Sequence, residues 1–158
     1  DGVPDACGPP WYRNLATGHW YRISARAGSF AEVEQEAVGY GGHLVTIDDE
    51  QENRFLVETF GTMDTGSTRD IWIGLHESSA GRWSWVSGEG GWWEVGNPQS
   101  TSYVNWAPGF PVNIGRSEGC GVPMGKVAVN HRDVLGRWGD IVIGATRRTG
   151  LIEVDLVP

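Results

Sequence analysis

SFAEVEQEAVGYGGHLVTIDDEQENRFLVETFG, residues 29–61, decides the fold class. Ser29-x-x-Glu32 is a capping box: the serine hydroxyl accepts from the Glu32 amide and the glutamate reaches back. Phe30, Val33, Ala37 and Tyr40 then recur at helical spacing and make one apolar face, which Gly41 and Gly42 end. HLVTI at 43–47 is a short strand. Asp48 is expected to cap a second helix, with Asp49 and Glu50 in its first turn, where negative charge suits the helix dipole. Phe55, Leu56, Thr59 and Phe60 form its expected buried stripe, and Gly61 stops it.

Outward from this segment the chain changes character. HWYRIS at 19–24 alternates large apolar and polar residues, as a strand does. Residues 1–17, with Pro4, Pro9 and Pro10 among glycines, read as an N-terminal arm or the start of a hairpin. After Phe60 the sequence reads as short strands: DIWIGL at 70–75, RWSWV at 82–86, a strand near 124–129, a turn around Gly136, and LIEVDLV at 151–157. Ser87 to Gly125 is a long glycine- and proline-rich stretch, and a loop of that length in a compact domain is usually functional. Strand, helix, strand, helix and then a run of strands argues an α+β fold of two helices and short antiparallel strands. The expected division is an arm over 1–17 and one domain over 18–158.

The composition bounds the function. With 158 residues the chain is large enough for one real core. Its formal net charge of -8, from 20 acids and 12 bases, repels phosphate backbones, so nucleic acid and anionic lipid are excluded as expected partners. No apolar run approaches the roughly 20 residues of a membrane helix. Glycine at 24 and tryptophan at 9 point to a loop-rich fold anchored by large rings, some of which are candidates to stand exposed as stacking platforms. The chain begins at Asp1 with no leader, which reads as a mature form or an excised domain. Two cysteines, Cys7 and Cys120, permit one bridge and an oxidising compartment without requiring either.

The signposts GHWYRIS at 18–24, GGHLVTI at 41–47, EQENRFL at 50–56, WIGL at 72–75, RWSWVSGE at 82–89, YVNWAPGFPVN at 103–113, EGC at 118–120, RWGD at 137–140 and LIEV at 151–154 stand in the order of the C-type lectin-like domain, which the chain resembles over nearly its whole length. Their wording is closest to the bacterial secreted branch. The resemblance implies a secreted or cell-surface recognition module. Independently of it, Trp72, Leu75, Trp83, Trp85 and Trp106 read as core anchors, since each ring buries about 150–250 Å². Trp92 and Trp93 lie in GEGGWWEVGNP, which has no periodicity, and at least one of them is a candidate for exposed binding.

In the family, sugar hydroxyls complete the shell of a calcium ion held by a Glu-Pro-Asn or Gln-Pro-Asp triplet, a following Glu and a Trp-Asn-Asp triplet. By resemblance those positions fall here on Phe110-Pro111-Val112, Glu118 and Trp138-Gly139-Asp140. Glu118 and Asp140 remain, Asn113 is a nearby substitute, and three oxygens are too few for an ion that takes 6–8. No metal is expected and calcium is not favoured as a cofactor. The resemblance also implies a cis bond before Pro111. The family's domain-closing disulfide falls on Ala37 and Ile152, both apolar. Cys120 has its family partner position near Val142 or Ile143, and Cys7 has its own at Trp20. A bridge between Cys7 and Cys120 and two separate thiols are both open on this reading.

Catalytic patterns fail. Gly115-Arg116-Ser117-Glu118-Gly119 spells G-x-S-x-G, but neither the strand before it nor the helix after it that a nucleophile elbow needs is present in the sequence. His19, His43, His76 and His131 are scattered; His43 reads as structural, and His76 is a weak ligand-facing candidate. The chain is therefore read as non-catalytic. The ligand site is expected on the loop face, with Trp92, Trp93, Glu94, Asn97, Phe110 and Asn113, and the ligand is carbohydrate by resemblance. A protein-protein or assembly module using the same face is the alternative.

Overall fold

The computed structural model describes residues 2–5, 8–61, 71–79, 81–111, 126–129, 136–141 and 147–158. Cys7, Cys120, Asn113, Glu118, Val142 and Ile143 lie outside the described residues. In chain order the elements are β1 (Gly2–Asp5), β2 (Gly8–Arg13), β3 (Trp20–Ile23), α1 (Phe30–Gly39), β4 (His43–Leu44), α2 (Glu50–Phe60), β5 (Ile71–Ser79), β6 (Arg82–Trp85), β7 (Trp92–Glu94), β8 (Lys126–Val129), β9 (Trp138–Ile141) and β10 (Leu151–Val154). The strands form two antiparallel sheets, ordered β1-β2-β3-β10-β4 and β7-β6-β5-β8-β9. No described helix is long and apolar enough to cross a membrane.

α1 forms as its sequence dictates. Ser29 Oγ accepts from Glu32 N at 3.2 Å while Glu32 Oε1 accepts from Ser29 N at 3.0 Å. Phe30, Val33 and Ala37 are buried. Gly41, at φ 88°, ends the helix: its amide bonds Val38 O while the Gly42 amide bonds Ala37 O, so two terminal carbonyls are satisfied. In α2 the cap is Asp49 rather than Asp48: the Asp49 carboxylate accepts from Glu52 N at 2.8 Å. The buried face of α2 is Glu52, Asn53, Leu56 and Phe60; Phe55 and Thr59 are only half-buried. The stripe is thus rotated toward two polar residues, each of which has a hydrogen-bond partner inside the protein.

The N-terminal arm is a β-hairpin continuous with the first sheet. β2 pairs with β3 through Tyr12↔Tyr21 and Arg13↔Trp20, and Trp11 is buried. Ala37 and Ile152 lie in one buried cluster with Trp11 and Val154, so apolar packing occupies the place where the family resemblance puts a disulfide.

Main-chain contacts join the two sheets. Gly74 N bonds Val45 O at 2.9 Å and Trp72 N bonds Thr149 O at 3.0 Å. The glycine of WIGL follows from this: a Cβ at Gly74 would sit 2.6 Å from Leu44 O and 2.8 Å from Val45 O. The main core lies at this junction, built from Tyr21, Val45, Ile47, Leu56, Phe60, Ile73, Leu75, Trp83, Trp85 and Trp138 among others.

Candidate functional site

Two strands absent from the sequence reading shape the candidate face. β7 pairs with β6 through Arg82↔Glu94, Trp83↔Trp93 and Ser84↔Trp92. Successive strand residues point to opposite sides. Trp83 and Trp85 are buried, so Trp93 shares their inner side and Arg82, Ser84, Trp92 and Glu94 share the outer one. The register carries this outer row onward, from Ser84 to His76 on β5 and from His76 to Lys126 on β8. β9, read from sequence as a turn around Gly136, follows that turn as a fully buried strand.

The tryptophan pair is therefore split. Trp93 packs on Trp106 with ring centroids 5.4 Å apart, and Trp106 in turn meets Trp83 at 5.3 Å. Trp93 thus contributes to the core, and only part of its surface remains for a ligand. Trp92 lies on the outside, with the Arg82 guanidinium 4.1 Å from its ring centroid. Arg82 Nε also faces Glu94 Oε2 at 3.7 Å, and Glu94 Oε1 accepts from Asn97 Nδ2 at 3.0 Å. Trp92, Arg82, Glu94 and Asn97 thus form one continuous set: an indole with a cation across it and a carboxylate-amide pair beside it. Arg82 and Ser84 were not among the expected site residues. The alternation of RWSW against WWE was their only signal, and three residues of β7 are too few to show a period.

Beyond β7 the chain folds back onto the core. Asn105 and Trp106 fix this return: Asn105 Nδ2 donates to Gly136 O at 2.7 Å, Trp138 N to Asn105 O at 2.9 Å, and Ala107 N to Trp138 O at 2.8 Å. Phe110 closes the next turn through its amide to Ala107 O at 3.0 Å, and the Phe110-Pro111 bond is cis.

Helix, strand, helix, the two antiparallel sheets and a loop returning through Asn105-Trp106 with a cis-proline make a recognisable arrangement. The Lectin C-type domain family matches residues 27–140. This chain belongs to the C-type lectin family. Asialoglycoprotein receptor 2 of Homo sapiens is 30% identical over 139 residues, which are 85% of this chain and 36% of that protein. C-type lectin domain family 10 member A of Homo sapiens is 29% identical over 137 residues, 86% of this chain and 36% of that protein. The chain thus spans about a third of the length of these relatives. The carbohydrate-recognition domain of the mouse scavenger receptor C-type lectin superposes with a TM-score of 0.67 at 20% identity, covering 94% of this chain and 97% of that one. Domains of this family are non-catalytic recognition modules, and the C-type lectin domain of murine dendritic cell inhibitory receptor 2, TM-score 0.67 at 22% identity, is a structure in complex with an N-glycan.

Of the positions that the family resemblance assigns to calcium, Val112, Asn113 and Glu118 lie outside the described residues. Phe110 and Pro111 are apolar, Gly139 has no side chain, and Asp140 is buried on β9 opposite Val127 and already engaged within the fold. Among the described residues no three His, Cys, Asp or Glu side chains converge to hold a metal ion. His43 is structural: its Nδ1 pairs with Glu34 Oε2 at 2.7 Å, beside the Leu44 amide on Glu34 Oε1. His76 is half-buried against Phe30, with ring centroids 6.2 Å apart, and burial lowers its pKa, with Lys126 adding to the effect.

Proposed function

We propose that this C-type lectin domain is an extracellular recognition module that binds carbohydrate without calcium, on the outer face of the β6–β7 hairpin. One observation carries the reading: Trp92 lies on the outer side with the Arg82 guanidinium over one face of its ring, and the Glu94–Asn97 pair stands beside that guanidinium, leaving the other ring face for a ligand. A pyranose presents a C–H face that packs on an indole and a rim of hydroxyls that needs donors and acceptors. Trp92 offers the first surface, Arg82 the donors, and Glu94 with Asn97 the acceptors. Phe110 belongs to the next part of the loop and would extend the contact, while Asn113 lies outside the described residues. A secreted or cell-surface bacterial setting accompanies this reading, from the wording of the sequence signposts.

The apolar residues at Phe110 and Pro111 support the calcium-free part of the proposal. They also favour the second reading, a protein-protein or assembly module on the same face. A glycan array probed in calcium and again in EDTA separates the two. Glycan binding that persists in EDTA and is lost in Trp92→Ala is the expected result. Binding abolished by EDTA, binding indifferent to Trp92→Ala, or no glycan bound under either condition would overturn it.

A further inference from the structure

Tyr21 on β3, Glu52 in the first turn of α2 and Glu153 on β10 meet at one buried point. Tyr21 Oη donates to Glu52 Oε2 at 2.6 Å and lies 3.5 Å from Glu153 Oε2. His19 Nδ1 contacts that same Glu153 oxygen at 2.6 Å, and its Nε2 faces Asp155 at 3.4 Å. The other carboxylate oxygens accept from main chain: Glu52 Oε1 from Asp48 N at 2.8 Å, and Glu153 Oε1 from Thr46 N at 3.1 Å. Thr17 Oγ1 sits 3.0 Å from Tyr21 Oη. Glu52 is 2% exposed. His19 is the one cationic partner of these carboxylates among the described ion pairs.

One buried and one half-buried carboxylate on either side of one hydroxyl cannot both ionise cheaply. We propose that Tyr21, Glu52, Glu153 and His19 form a proton-closed latch that ties α2 and β3 to β10 and, through Thr46, to the base of the long loop. With Glu52 protonated, its hydroxyl donates to Tyr21 Oη, the tyrosine turns its own proton to Glu153, and His19 holds the far side of Glu153. Every group then has a partner of the right kind. With that proton gone, two carboxylates compete for one tyrosine proton. Thr46 extends the latch: its amide is on Glu153, and its Oγ1 is 2.6 Å from Ser87 Oγ, which also accepts from Glu89 N. A cleft lined by His19, Thr46, Asp48, Ser87, Glu89 and Asp155 borders the latch and gives protons a path to it.

The electrostatics agree in sign. Burial pushes Glu52 up to about 7. Burial also raises Glu153. Asp48 at the cleft is raised by burial, then by Asp49 and Glu89. For His19 burial works against the charged form, but the bond to Glu153 and the charges of Glu153, Asp155 and Glu52 outweigh it, and the net direction is up. Burial and the two carboxylates raise Tyr21 out of the titrating range. A group held above its unfolded value contributes stability that is fully present below the unfolded pKa and is lost as pH rises through the folded one. For Glu52 that window runs from the ordinary glutamate value of 4.5 to about 7, so the latch closes on mild acidification. His76, lowered by burial and Lys126, opposes this from the second sheet, so the comparison must be a difference between variants.

The test is a set of thermal melts between about pH 8 and about pH 5.5 at fixed ionic strength in EDTA, for the wild type and Glu52→Gln. The wild-type midpoint is expected to rise by about 4 °C or more on acidification. Glu52→Gln carries a permanent neutral donor toward Tyr21, so it should lose at least half of that slope. A wild-type midpoint that is flat or falls, or a variant that keeps the full slope, would overturn the proposal. Should the variant fail to fold, carbon-13 titration of the wild-type carboxyls decides: a glutamate with a midpoint above about 6 supports the latch, and all glutamates below about 5 refute it.

Discussion

Asn53 and Trp138 bind α2 to β9: Asn53 Oδ1 accepts from Trp138 Nε1 at 2.9 Å while Asn53 Nδ2 donates to Gly136 O at 3.1 Å. Both ends of one buried amide are used, and Trp138 is itself wedged against Trp85 and Tyr103. Asn53→Asp keeps the first bond and turns the second into two facing acceptors. Leaving buried groups unmatched in this way costs about 2–3 kcal/mol. A denaturant titration should show that loss with an unchanged slope, and stability within experimental error of wild type would show that the amide is not holding the joint.

Gly74→Ala tests the close approach of β5 to β4. The new methyl would meet the Leu44 and Val45 carbonyl oxygens, which are main chain and cannot swing aside. The expected loss is about 2–3 kcal/mol, from overpacking a rigid site. A melt that shifts by less than about 2 °C would mean that the two strands can separate at little cost.

Ala37→Asp tests the apolar closure of the first sheet. Ala37 is fully buried in one cluster with Trp11, Ile152 and Val154. A carboxylate placed among these apolar side chains is expected to cost about 3 kcal/mol. Soluble yield should fall sharply, and wild-type yield with an unchanged melt would contradict the packing.

The split tryptophan pair gives a test in which two neighbours behave differently. Trp92→Ala should change stability by no more than about 1 kcal/mol while abolishing glycan capture, because its outer ring surface packs little of the core. Trp93→Ala should cost about 2–3 kcal/mol through the void left beside Trp106. Equal effects on melting from both variants would place both rings in the core.

The helices were legible because their signals are local. Ser29 and Glu32 sit three residues apart and specify a start without reference to the rest of the molecule. The cap of α2 was displaced by one because Asp48 and Asp49 offer the same chemistry, and only the position of the Glu52 amide separates them. β9 was missed because Trp138 to Ile141 are buried on both sides, which erases the alternation that marks a strand. At the candidate site Trp92, Glu94 and Asn97 were legible as residue types, whereas Arg82 was found only through pairing across two strands. The latch was illegible for the same reason: Tyr21, Glu52 and Glu153 are separated by most of the chain. Its one trace was Glu52, a carboxylate one turn before Leu56 on the face that goes inside.

The place of β10 in the first sheet has a consequence for how the molecule comes into being. It lies between β3 and β4, pairing Leu151 with Ile23 on one side and Ile152 with Leu44 on the other. On a ribosome, β3 and β4 emerge more than a hundred residues before the strand that joins them. During that interval each exposes an unpaired edge, the condition under which nascent chains pair wrongly with one another. Synthesis of residues 151–154 is thus the event that commits the domain, and a chain released before them carries every tryptophan of its core but lacks the strand that closes its first sheet.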